Sequence, residues 1–418
     1  MNVRTIRFKW TAALVLFLCV CCGMPAVFAD EPKQQSASFA DPTAELPKDG
    51  SVQWDGEVYI APFARVVTSA GTRVQLGARS NVQDNAVLDA SRNDIVLGEG
   101  AIIAHGAMIK SSRPAAVAAE TGRPGYGNPG IDALERYMAA HPSAYKWGAL
   151  PAFVGFNAVV DGANVSDGSM VMHMAMVGPG ITIKSGIKVL AGKRVRTQIE
   201  ADDPARGKVV YLSEKDVEFM NGVVEVNTAL AAGYSQLARE QISFVRGIGY
   251  NPGLVPGNEQ RELPTVGGVK TRQPDTGTYR YRIIGNVTIG DTHGIRDRVS
   301  LRADEGPVFR IGAANRFLGA NTFHALQHTD ISAGDRVILE PNAIVHGGAG
   351  EHLKEGRRTE IGDGTVIGAG SVVFASRLGS NVRVGANSLV MDSVIPDGTV
   401  IPPGEVWSGG RKLYKVEW

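Results

Sequence analysis

Aliphatic residues recur at every sixth position over long stretches of the chain. One ladder runs Val154, Val160, then Val171, Val177, Ile183, Val189 and Val195; others run Leu76, Val82, Leu88 and Leu97, Ile103, Ile109. Towards the C-terminus Ile361, Ile367 and Val373 are followed by Val384 and Val390. A small residue often follows the aliphatic one, as in Ile361-Gly362, Ile367-Gly368 and Val384-Gly385. A period of six fits neither the 3.6-residue helix nor the alternation of a half-buried strand. It is the signature of a solenoid whose coils are short strands joined by tight turns. Three hexads per coil make a triangular prism, with one aliphatic side chain per face pointing inward onto the coils above and below. A β-sandwich would space its strands unevenly. The pattern therefore predicts an all-β chain built from parallel β-helical prisms.

The ladders fall into two blocks, 51–200 and 279–418. Between them, 201–278 breaks the hexad rule. Ser213-Glu214-Lys215-Asp216 offers an N-cap, and Val217, Met220, Val224, Leu230, Leu237 and Ile242 lie broadly at helical spacing, predicting one long or two shorter helices. A stretch rich in proline and glycine, 251–275, reads as the linker into the second block. A further departure, 111–150, begins just after Lys110 and reads as an insertion with a short helix around Ile131–Ala140. Residues 30–50 read as a polar leader.

Composition supports a turn-rich fold, with 51 glycines and only 7% aromatic residues among 418. A net charge of +1 and the lack of a basic patch argue against nucleic acid or a membrane surface as partner. Residues 1–29 carry Arg4, Arg7 and Lys9, then an apolar run from Thr11 to Cys22, then Val27-Phe28-Ala29, the layout of a cleaved secretory signal. The run is too short to remain as a membrane span. All 3 cysteines, Cys19, Cys21 and Cys22, lie within it, so the exported chain would have no disulfide framework. Any soft metal would be held by histidine or carboxylate. The localisation expected is the periplasm or the exterior.

Two stretches look like two copies of one metal site, each incomplete in a complementary way. The first reads Asn81-Val82-Gln83-Asp84 through Asp89, then Ala104-His105 through Lys110. The second reads Arg302-Ala303-Asp304-Glu305-Gly306, then His324-Ala325-Leu326, then Pro341 through Val345-His346-Gly347. Overlaid, Asp89 falls on His324, His105 on Pro341 and Lys110 on His346. Neither copy holds three histidines; together they hold one set.

With the closing Ile395-Pro396-Asp397-Gly398, these motifs resemble the gamma-class carbonic anhydrases, over most of 52–200 and 283–406. The resemblance implies two tandem left-handed β-helices. It also implies a zinc or ferrous ion held by two histidines of one prism and a third from its neighbour, since ligands at successive corners of one prism cannot converge. The implied ligands are His105, His324 and His346, around an ion that acidifies a bound water for attack on carbon dioxide. The implied catalytic residues are Gln83, which orients the nucleophile or substrate, Glu305, which passes protons, and Arg302, which pairs with Asp84 across the interface. Carbon dioxide and bicarbonate are the implied small-molecule partners, in a homo-oligomer. Lys110 could neutralise Asp89 at the vacated positions. One departure is Gln327, where the family has a second shuttle glutamate; His328 beside it could substitute. His141, His173, His293 and His352 lie off the motif, with surface or packing roles the default.

Two other functions share the repeat. A non-catalytic scaffold or complex-assembly subunit would keep the prisms without the metal. A hexapeptide acyltransferase would use a single histidine and a coenzyme A groove, which export and the histidine contexts argue against. The sequence leaves open whether the two blocks meet within one chain or between chains.

Overall fold

The computed structural model describes residues 37–119, 128–142, 150–255, 259–277, 279–305, 308–327, 329–348 and 358–418. The signal-like segment, Gly306, His328, His352 and parts of the insertion lie outside them. The described chain forms two left-handed parallel β-helices, each with three sheets as the faces of a prism. The hexads explain the pairing. In the first prism Ile60, Val82, Ile103, Val154, Val171 and Val189 stand in register on successive coils of one face. Val66, Leu88, Ile109, Val160, Val177 and Val195 do the same on the next. In the second prism one inward column runs Ile283, Leu301, Phe323, Val345, Val373, Val390. Each column is buried, so every coil covers the apolar residues of its neighbours.

Pairing in the first prism begins at Phe39–Ala40, inside the stretch read as leader, because Phe39 is buried against Tyr59 and Tyr234. Helix α1 (Pro129–Ala140) is capped by Asn128, and a one-turn α2 (Gln198–Asp202) closes the first prism's last coils. Helix α3 (Glu214–Glu240) is one continuous helix opened by a Ser213–Asp216 capping box. It buries Val217, Met220, Val224, Leu230 and Leu237, whereas Ile242 lies beyond its end and is exposed.

The prisms meet face to face. On this face of the first prism the outward column is also apolar, with Ile102, Phe153 and Met170 in register. They pack with Ile344, Val372, Leu389 and Val406 of the second prism, and with Val217, Met220 and Val223 of α3. A sheet apolar on both faces must be covered on both. The second prism and α3 supply that cover. Among the described residues no helix is long and apolar enough to cross a membrane.

Candidate metal centre

The centre grows out of one column of the second prism. Arg302, His324, His346 and Phe374 stand in register on four successive coils, all facing the first prism. Parallel strands lie about 4.8 Å apart, so this register alone sets His324 beside His346. His105 comes from the facing corner, in the turn after strand Ala101–Ile103. The turn needs Gly106, whose φ is +68° and where a Cβ would overlap the Asn157 amide. All three rings belong to the same chain, so the two blocks meet within one chain.

The ring centroids are 5.1 Å (His105–His324), 5.2 Å (His105–His346) and 5.2 Å (His324–His346) apart. One ligand nitrogen from each lies within 4.8 Å of the others. His105 Nε2 and His324 Nδ1 are 3.2 Å apart, close to the edge of about 3.3 Å that tetrahedral zinc with Zn–N near 2.0–2.1 Å requires. The far nitrogen of each ring faces a protein oxygen. His105 Nδ1 lies 3.0 Å from Asp84 Oδ2, off the line of a straight hydrogen bond. His324 Nε2 lies 3.1 Å from Asp304 and 3.2 Å from Glu305. His346 Nδ1 donates to the Gly347 carbonyl at 2.6 Å. Such oxygen partners fix the tautomer and aim the other nitrogen at an ion. The donor set fits zinc or ferrous iron.

Behind the histidines lies a buried ionic network. Arg302 forks onto Asp84 across the interface, Nε to Oδ1 at 3.0 Å and Nη2 to Oδ2 at 2.8 Å, and also bonds Asp304 and Tyr59. Tyr234 of α3 donates to Asp304. Burial would raise the Asp84 carboxyl, but Arg302 and His105 hold it well below the usual range. Burial pushes His105 down to about 4 against the pull of Asp84, and His346 well below the ordinary histidine value. For His324, burial and Arg302 disfavour the charged ring, but Glu305 and Asp304 outweigh them and lift it to about 9. With His324 charged, its Nδ1–H can be donated to the neutral His105 Nε2, 3.2 Å away.

A cavity of about 200 Å³ opens onto the histidines. Gln83 and Glu305 line it, as does Gln327. Its apolar wall is Phe153, Phe156, Leu326 and Phe374 with Phe219, Val223 and Val226 of α3, and α3 also places Asn227 there. Arg302 does not line it; that side chain acts behind the centre, on Asp84 and Asp304. Sequence reasoning missed the α3 residues, whose helical spacing marks a buried face but not what it covers. For His173 the expected role is surface or packing, and packing is what the structure shows. That ring is buried, accepts from the Phe156 amide at 3.1 Å and stacks on Phe156, which in turn stacks on His105. Burial pushes it down to about 3, so it stays neutral. His141 ends α1 against Tyr137, and His293 sits in an exposed turn.

At the vacated positions of the first prism, Lys110 and Asp89 stand in register as His346 and His324 do in the second. Lys110 is exposed and forms no ion pair with Asp89, whose carboxylate takes the Ser91 amide at 3.1 Å. Pro341 occupies the second prism's turn equivalent to His105.

No family model matches the chain. Over 207 residues, 49% of the chain, it is 28% identical to a carbonic anhydrase of Methanosarcina thermophila, covering 77% of that protein. Over 204 residues, again 49% of the chain, it is 29% identical to the carboxysome assembly protein CcmM of a Nostoc species, covering 31% of that longer protein. Among solved structures, a hexapeptide transferase family protein from Anaplasma phagocytophilum aligns at 20% identity and a TM-score of 0.20, over 47% of this chain and 91% of that one. A UDP-N-acetylglucosamine O-acyltransferase from Moraxella catarrhalis aligns at 11% identity and a TM-score of 0.13, over 85% of this chain and 70% of that one. Scores this low carry no functional weight. By its strand topology the chain is a pair of hexapeptide-repeat β-helices, and by its sequence it resembles the gamma-class carbonic anhydrases.

Proposed function

We propose that this protein is an exported carbonic anhydrase of the gamma type, hydrating carbon dioxide to bicarbonate at one composite metal site per chain. The observation that carries the reading is the convergence of His105, His324 and His346, each with its far nitrogen facing a protein oxygen. Three imidazoles with room for a fourth ligand suit a catalytic zinc or ferrous ion. Such an ion would supply a water of lowered pKa, and so a nucleophile at neutral pH.

The chain's own residues supply the rest. Burial keeps His105 and His346 neutral, with lone pairs available. Asp84 and Asp304 orient His105 and His324, and Arg302 fixes both carboxylates, which makes it a positioning residue. Gln83 presents its amide to the cavity, where it can orient the nucleophile or the substrate. Glu305, on the cavity wall and 3.2 Å from His324, would accept a proton and release it towards water. The phenylalanine wall suits an uncharged apolar substrate and keeps bulk water from the histidines. Export rests on the signal-like segment. Association with further copies belongs to the same reading, although the histidine set is complete in one chain.

One observation favours a second reading, an assembly subunit without turnover. Gln327 lines the cavity where a second ionising shuttle would be expected, and an amide cannot relay protons by ionising. Metal content per chain of residues 30–418, alongside a His105→Ala variant and a carbon dioxide hydration assay, separates the readings. About one ion per chain, lost in the variant, with hydration above the buffer rate, is the result expected. No metal in either protein, and no hydration, would favour the assembly subunit. Metal bound equally by the variant would overturn the composite site.

A further inference from the structure

On the other side of the prism interface, two arginines line a groove of about 370 Å³ and neither meets an acid there. The groove runs between the first prism's corner at Asn85, Gly106 and Asn157 and the second's at Thr322, Asn342 and Asn387. No carboxylate side chain and no histidine lines it. Arg65 makes no side-chain hydrogen bond or ion pair among the described residues, and its Nε is buried without a partner. Glu45 stands beside it on the neighbouring coil but forms no ion pair with it. Arg298 donates through Nη2 to the Phe63 carbonyl at 3.0 Å, which brings its guanidinium to the same corner as Arg65; its Nε too is buried and unpartnered.

The third unmatched group is an acceptor. Asn85 gives its amide hydrogens to the Arg298 carbonyl at 3.2 Å and to Thr322 Oγ1 at 3.3 Å, which fixes the orientation of the amide. Its Oδ1 is then buried with no donor. Buried polar groups rarely go unpartnered, and three around one groove call for a ligand that satisfies all of them. Two guanidinium edges want oxygen acceptors in a forked arrangement. Asn85 Oδ1 wants an O–H. A halide or a fully deprotonated carboxylate meets only the first demand.

We propose that this groove binds one small oxyanion that carries a hydroxyl, of the bicarbonate or hydrogen phosphate kind, separate from the metal centre. Arg65 and Arg298 would take its oxygens and Asn85 its hydroxyl. The site does not depend on the metal reading, because none of Arg65, Arg298 and Asn85 bonds a histidine of the centre. If the chain makes bicarbonate, however, its product would be held one residue away from Asp84.

Calorimetric titration of the metal-loaded full chain at matched ionic strength, with bicarbonate, inorganic phosphate and chloride in turn, tests this. Bicarbonate or phosphate is expected to bind at one site beyond any at the metal. Arg65→Gln and Arg298→Gln should each weaken that site by about tenfold or more, with metal content unchanged. The tighter of the two oxyanions identifies the natural class. Oxyanion binding that is absent, or equal in wild type and both variants, would overturn the site. Chloride binding as tightly as bicarbonate would reduce it to a cationic patch and overturn the hydroxyl requirement.

Discussion

The two prisms carry the same cross-strand pair in the same place with opposite outcomes. In the first, Lys110 pairs in register with Asp89, and the lysine lies in water. In the second, His346 pairs with His324, and both rings are only 3% exposed. The local backbone is alike, so it does not decide whether a metal can be held there. What differs is what lies opposite. The second prism's column faces His105, Phe156 and the wall of α3; the first prism's faces solvent and its own serines. A pair of side chains at one corner becomes a site only when a third donor and a dry wall are supplied from outside the prism.

The largest effect should come from removing the clamp that joins the faces. Arg302→Gln would leave Asp84 and Asp304 buried without their cation, and breaking a buried pair this way costs about 3–5 kcal/mol. Chemical denaturation should show that loss. Metal affinity should fall by about 10–100-fold as well, because the carboxylates that orient His105 and His324 lose their hold.

A second effect follows from the His324 ring, lifted to about 9 when no ion is bound. At pH 7 it is then protonated, and a metal must displace that proton. Metal binding should release about one proton at pH 7, and affinity should rise about tenfold per pH unit until pH approaches 9. Calorimetry in buffers of different ionisation enthalpy counts the protons; an affinity flat from pH 6 to 8 would contradict a protonated His324.

The smallest effect tests the comparison most directly. Asp89→His with Lys110→His copies the second prism's pair into the first. Stability should fall by about 1 kcal/mol or less, because Lys110 is exposed and the half-buried Asp89 gives up only its bond from the Ser91 amide. Metal content should stay at its wild-type value. A second tightly held ion would mean that register alone builds a site.

Much of this was legible in the sequence because its carriers are periodic or chemically rare. The hexads translate directly into inward columns such as Val82–Ile103–Val154, and the histidine contexts mark which corners matter. The Ser213 cap and the helical spacing after it predicted α3, though not its landing on the cavity. Phe219, Val223 and Asn227 were missed for that reason: a 3.6-residue period identifies a buried stripe but names no partner. Tyr59 and Tyr234, which complete the clamp on Arg302 and Asp304, lie far from either motif, at 59 and 234, and meet only through tertiary packing. Nor could spacing decide that both halves of the centre come from one chain, since an interface between chains would require the same residues.

That last point has a consequence for dilution. A centre split between separate subunits falls apart as concentration drops, because its halves must find each other by diffusion. Here the halves are tethered, and their meeting is intramolecular at an effective concentration the surroundings do not change. The histidine set should therefore persist in a single molecule, however sparse the protein is.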